Sequence, residues 1–78
     1  TEQLHGFTLF DFDKGEDIST HAAGGDTTAF ILKGKAEIAI DGKPHFVSGR
    51  QAIVLPVSIP HSLKAITRFK MLLTVVLP

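Results

Sequence analysis

Four histidines, His5, His21, His45 and His61, are the side chains best suited to chemistry in this sequence of 78 residues. An imidazole gains or loses its proton between about pH 5 and 8, and its neutral nitrogen binds metals. His21 and His61 occupy comparable settings, each on a short strand-like run beside a Gly- or Pro-rich turn. The two runs are GEDISTHAAGGDTTAFILKG over 15–34 and SGRQAIVLPVSIPHSLKA over 48–65. Brought together, two imidazoles can act as an acid–base pair or hold an anionic or hydroxylated organic molecule. His5 and His45 read as surface or edge residues. Cysteine is absent, which removes both a thiolate metal site and a disulfide staple. There is no Ser/His/Asp arrangement, and Gly24-Gly25 is an isolated pair rather than a phosphate-cradling loop.

Those side chains need elements to position them, and the pattern supplies strands. Residues 6–13, GFTLFDFD, put Phe10 and Phe12 on one face and read as a first strand. A turn at Asp13-Lys14-Gly15-Glu16 leads to a short strand over 18–23, in which His21 and Ala23 share a face because side chains alternate with period two. Gly24-Gly25-Asp26 breaks it, and the β-branched run 27–32 stops at Gly34. Ala36, Ile38 and Ile40 then share one face, with Glu37 and Ala39 opposite. Asp41-Gly42 follows as a two-residue hairpin signal for a type I′ turn. The returning strand covers 45–47, with Pro44 at its start, and 51–55 is a further apolar strand. Pro56 and Pro60 exclude a helix between them by removing donors and fixing φ. His61, Leu63 and Ala65 form one face of the next strand. Phe69, Met71, Leu73, Val75 and Leu77 form one face of the last. About eight short strands, roughly 8–10 residues apart with turn signals between them, predict an antiparallel sandwich or barrel.

Size and charge narrow the function classes. A chain this short buries roughly 60–65% of its unfolded surface, so its own core is marginal. Lys plus Arg equal Asp plus Glu at eight each. That balance argues against a nucleic-acid surface and favours self-association, so a homodimer is expected. The apolar stretch 71–77 is broken by Thr74 and falls far short of the ~20 residues of a membrane span. Residues 1–6 carry no apolar run of a signal peptide, and the cytoplasm is the default location. The sequence starts at Thr1 rather than Met, which reads as a fragment or a processed form.

The two histidine-bearing stretches resemble the halves of the cupin signature, G-x5-H-x-H-x(3,4)-E-x6-G and G-x5-P-x-G-x2-H-x3-N. Gly15, His21 and Gly34 stand at motif positions, while Ala23 replaces the second histidine and Thr27 the glutamate. In the second half Pro56 and His61 match, Gly49 lies one residue too far from Pro56, and Ser58 and Ala65 replace the glycine and the asparagine. The phrase FILKG and the P-x-x-x-P-H run look like the small single-domain cupins. The resemblance spans residues 15–65. It implies an all-β, antiparallel jelly-roll barrel of about eight strands, a single domain over 1–78 lacking N-terminal strands of a longer chain, a dimer, and a pocket inside.

In that family three histidines and the glutamate hold a metal. Carried over position by position, His21 and His61 remain, and Thr27 is a poor ligand. Asp26 would complete a His21, His61, Asp26 triad if a bulge at Gly24-Gly25 re-aimed it, an arrangement suited to non-haem Fe(II). Strict alternation opposes this, because Asp26 has the opposite parity from His21 and Thr27. A plain turn residue bonded to local backbone is the simpler reading of Asp26. The expected ligand-binding residues are therefore His21, Thr27 and His61, and the expected cofactor is a weakly held divalent Fe, Mn, Ni or Zn, or none. The expected function is a barrel binding a small polar organic molecule. Two other readings are a metal-dependent oxygenase or isomerase using His21, His61 and a third ligand, and a ligand-sensing module of a longer protein.

Overall fold

The structure, a computed structural model, describes residues 4–22 and 24–77, with side chains over 6–18 and 24–76. Ala23, which stands at the motif's second histidine, lies outside the described residues. Among these residues the chain forms eight strands: β1 (Leu4–Phe12), β2 (Asp17–Ala22), β3 (Asp26–Lys33), β4 (Lys35–Ile40), β5 (Lys43–Ser48), β6 (Ala52–Leu55), β7 (Pro60–Ala65) and β8 (Phe69–Leu77). Period-two alternation locates all eight to within a few residues. No helix of the described residues is long and apolar enough to cross a membrane.

The strands make two four-stranded sheets, ordered β1-β8-β3-β6 and β2-β7-β4-β5. Every pairing is antiparallel. The pairs are nested: β4 with β5, β3 with β6, β2 with β7, β1 with β8. A long hairpin folded back on itself in this way is a jelly roll, with two sheets face to face rather than a closed cylinder. At its centre Asp41 and Gly42 hold φ of +51° and +78°, the left-handed pair that a type I′ turn requires. Pro44 sits on β5, an edge strand, where a missing N–H costs the sheet least.

Alternation sorts each strand into an inner and an outer face. Thr27, Ala29 and Ile31 of β3, Ala36 and Ile38 of β4, and His61, Leu63 and Ala65 of β7 all point inward and are buried. At one end of the interior Phe10, Phe12 and Phe69 stack, with ring centroids 5.6 Å and 4.9 Å apart in succession. Phe12 and Phe69 are direct register partners on β1 and β8.

The chain changes sheets at Gly34 and again over 66–68, and these two crossings lie side by side. The Lys35 amide donates to Thr67 Oγ1 at 3.0 Å, and the Ile66 amide donates to the Lys35 carbonyl at 3.1 Å. Gly34 has φ +90°. A Cβ there would lie 2.6 Å from Phe69 Cβ and would also meet the Arg68 carbonyl oxygen. Only a residue without a side chain fits between the crossings.

Candidate functional site

His61 is the second residue of β7, the strand between β2 and β4. Its backbone is registered with His21 on β2 and with Ile40 on β4. The Pro56–Pro60 segment delivers it: the Asp41 amide donates to the Pro60 carbonyl at 2.8 Å, which ties the start of β7 to the end of β4. His61 is buried and lines a cavity of about 300 Å³ between the sheets. Phe10, Ala29, Leu55, Met71 and Leu73 line it from one sheet, and Ile18, Ile38, Leu63 and His61 from the other. Among the described residues the lining is apolar apart from the His61 imidazole.

The residues expected at the site divide. His61 faces the cavity. His21 is opposite it in backbone register, while the His21 side chain lies outside the described residues. The strand carrying His21 has a register shift between Ile18 and His21, so a bulge falls before the histidine. Thr27 is buried, but its hydroxyl donates to the Gly25 carbonyl at 3.1 Å and it does not line the cavity. The side chain at the motif's glutamate position thus secures the turn before β3. Asp26 is exposed at the start of β3 and has the parity of Thr28 and Phe30, which puts it on the outer face. His45 is exposed on edge strand β5, and His5 is registered with Val76 at the edge of the other sheet.

The donor set can be tested against the metal that the cupin resemblance implies. Among the described residues no three of His, Cys, Asp and Glu gather where they could hold an ion. His61 faces the apolar lining of the cavity, and Asp26 is on the outer face of its sheet. First-row metals take three or four ligands from the protein. The described residues do not fit that requirement.

Two features missed from sequence stand out. The apolar lining was not read as a site, although Leu63 shares the face of His61 and Phe10 that of Phe12. The second concerns the displaced glycine of the second motif. The motif places a glycine six positions before Pro56, which here is Arg50, and Arg50 has φ +70°; Ser58, at the other glycine position, has φ +61°. At both motif glycine positions a left-handed backbone is held by a residue other than glycine.

The nested strand order and the cavity between facing sheets define a small jelly-roll barrel domain. Residues 8–77 match the family described as Cupin_2, cupin domain, and the chain belongs to that family. It is similar to a conserved protein of unknown function from Streptococcus pyogenes, with 42% identity over 99% of this chain and 75% of that one and a TM-score of 0.91. A cupin superfamily protein from Desulfitobacterium hafniense is 27% identical over 99% of this chain and 79% of that one, with a TM-score of 0.88. A salicylate 1,2-dioxygenase from Pseudaminobacter salicylatoxidans shares the fold at a TM-score of 0.87, with 20% identity over 91% of this chain and 20% of that one. A search of functionally curated proteins finds no match.

Proposed function

We propose that this cupin domain binds a small organic molecule whose body is apolar and whose one polar group meets His61. The observation that carries this reading is the lining, which among the described residues is eight apolar side chains and the His61 imidazole around about 300 Å³. It moves the expected ligand from a polar molecule to a mainly apolar one. That volume is at the low end of small-molecule sites. At roughly 30 Å³ per non-hydrogen atom, by comparison with water, it holds about ten such atoms, the size of a substituted benzene ring. The apolar walls provide affinity, and the imidazole orients the ligand by accepting or donating one hydrogen bond.

Calorimetric titration with benzoate, phenol, hexanoate and toluene tests this. The polar-headed probes are expected to bind about fivefold or more tighter than toluene, a margin that one hydrogen bond supplies. His61→Leu should erase that preference while retaining binding, and Leu73→Trp should fill the cavity and remove binding of all four. If no probe binds the wild-type protein at millimolar concentration, or if Leu73→Trp binds like wild type, the reading is wrong.

Metal content is the second check. Protein equilibrated with Fe(II), Mn(II), Ni(II) or Zn(II) and then desalted should retain well under one equivalent, because two imidazoles at most make a leaky site. Near-stoichiometric metal that disappears in His61→Ala would restore the oxygenase or isomerase reading. The binding reading applies equally to a domain acting alone and to the sensing part of a longer chain.

A further inference from the structure

The formal charge of the chain is zero, but cations gather at one place on its surface. Lys33, Arg68 and Lys70 line a cleft of about 250 Å³ at the end of the barrel where β3 crosses to β4. Phe69, between the last two, is buried and completes the lining. The apolar cavity shares no lining residue with this cleft. Its histidine, His61, is registered with Ile40 at the far end of β4.

The register of β3 against β8 brings the two lysines together. Ile31 lies opposite Met71, so an unbroken ladder would set Leu32 opposite Lys70 and Lys33 opposite Phe69. The register instead shifts between Ile31 and Lys33, and Lys33 lies opposite Lys70. This bulge keeps Lys33 off the inner face that Phe69 occupies. Its cost is a directly opposed pair of like charges, which destabilises a sheet. The chain compensates little of that cost. Asp11 is registered with Lys70, and its carboxylate is held by the Arg68 guanidinium at 3.2 Å. Among the described residues neither lysine has an ion pair of its own. Asp13 adds a weaker through-space attraction on Arg68. Three cations set against the Asp11 carboxylate leave the cleft with positive charge in excess.

We infer that this cleft binds a phosphate group, free or carried by a small molecule or a lipid headgroup. A phosphate monoester carries about 1.5 to 2 negative charges near pH 7 and three acceptor oxygens, which matches the unneutralised lysines. At roughly 30 Å³ per non-hydrogen atom the cleft holds about eight atoms, a phosphate with a short substituent. The backbone that carries the cations is already fixed. The Lys35 amide donates to Thr67 Oγ1 at 3.0 Å, and the Thr67 hydroxyl donates to the Arg68 carbonyl at 3.0 Å. Gly34 puts no side chain between Arg68 and Phe69. Binding therefore orders two lysine side chains and leaves the strands in place, which keeps its entropic cost low. The Asp11 carboxylate competes with the ligand for Arg68.

The test is an NMR titration of isotope-labelled protein with inorganic phosphate, at an ionic strength held constant with sodium chloride. Saturable shifts are expected at the amides of Lys33, Gly34, Arg68 and Lys70. Lys33→Gln combined with Lys70→Gln should weaken binding about tenfold or more, because two charge-assisted hydrogen bonds are lost. Lys64→Gln, an exposed lysine of the other sheet, should leave binding unchanged. Asp11→Asn should tighten it severalfold by releasing Arg68 to the anion. Without phosphate, Lys33→Gln should be at least as stable as wild type, since it relieves the opposed charges. Co-sedimentation with phosphatidylcholine vesicles containing phosphatidic acid separates the two sources. Phosphate binding that the vesicles do not reproduce assigns a soluble ligand, and vesicle binding that disappears in the double lysine variant assigns a headgroup. The proposal is overturned if neither phosphate nor vesicles bind, or if the double variant binds like wild type. Equal loss with Lys64→Gln, the mark of diffuse attraction, or weaker binding by Asp11→Asn also overturns it.

Discussion

Gly15 and Gly34 hold nearly the same backbone conformation, φ +88° and +90°, but only Gly34 is hemmed in. A Cβ at Gly15 meets nothing within 4 Å, whereas one at Gly34 meets Phe69 and the Arg68 carbonyl. Gly15→Ala should therefore cost about 1–2 kcal/mol, the conformational penalty by itself. Gly34→Ala should cost on the order of 4 kcal/mol or leave the chain unfolded, because two sheet crossings must separate. Urea denaturation of the pair distinguishes the terms. Arg50 and Ser58 present the reverse case, ordinary residues held at positive φ. Arg50→Gly and Ser58→Gly should each stabilise by about 0.5–1 kcal/mol, the relief of strain less the added freedom of the unfolded chain. The Asp11 carboxyl is held below its ordinary pKa chiefly by its hydrogen bond to Arg68, with the Arg68 and Lys70 charges adding to the effect. A carboxylate with a lowered folded-state pKa stabilises the fold above its unfolded value, and that contribution is lost as pH falls through the folded value. The pair is exposed, so the effect on stability is slight. An NMR titration of Arg68→Gln should show the Asp11 pKa rising toward the usual aspartate value.

At the scale of strands, the alternating pattern was legible because each strand has one covered face. Ala36, Ile38 and Ile40 against Glu37 and Ala39, followed by Asp41-Gly42, specify a hairpin from the residues alone. Parity likewise put Asp26 and Thr27 on opposite faces. What period two cannot reveal is which apolar face is core and which is surface. β3 reads Ala29, Phe30, Ile31, Leu32 without a polar break, yet Ile31 is buried and Leu32 half exposed. The cavity was illegible for a related reason: it depends on how side-chain volumes from two sheets add up across a gap, and on no motif. The juxtaposition of His21 and His61, 40 positions apart, was legible only through the cupin spacing. Packing at the ring stack is where element and sequence meet most directly. Phe69 is fully buried, stacks on Phe12 and lies against Gly34. Phe69→Ala should cost about 3–5 kcal/mol, enough to lower the thermal midpoint by tens of degrees or abolish the transition in a domain this small.

At the scale of the molecule, eleven buried apolar side chains among the described residues form the core, and part of the space they enclose is the cavity itself. A barrel that keeps a hollow interior gives up some of the packing that a filled core would provide. Binding therefore couples to folding. A cavity ligand at about 100 times its dissociation constant should add roughly 2.7 kcal/mol to the unfolding free energy, and differential scanning calorimetry with and without benzoate would show the midpoint rise. His61→Leu should lower that increment for benzoate while leaving the smaller toluene increment intact.

The position of β8 has a consequence for biosynthesis. β8 lies between β1 and β3, so during synthesis β1 has its sheet neighbour only after β8 has emerged. Until then β1 and one edge of β3 present unsatisfied amides and carbonyls, together with Phe7, Leu9 and Phe30, to the surrounding solution. The nested pairs suggest the order in which this exposure is resolved: the β4–β5 hairpin closes locally, and each pair outside it then closes a loop already shortened by the one within. Completion waits for β8, and the interval before its arrival is when an unfinished chain is most open to pairing with its neighbours on the same message.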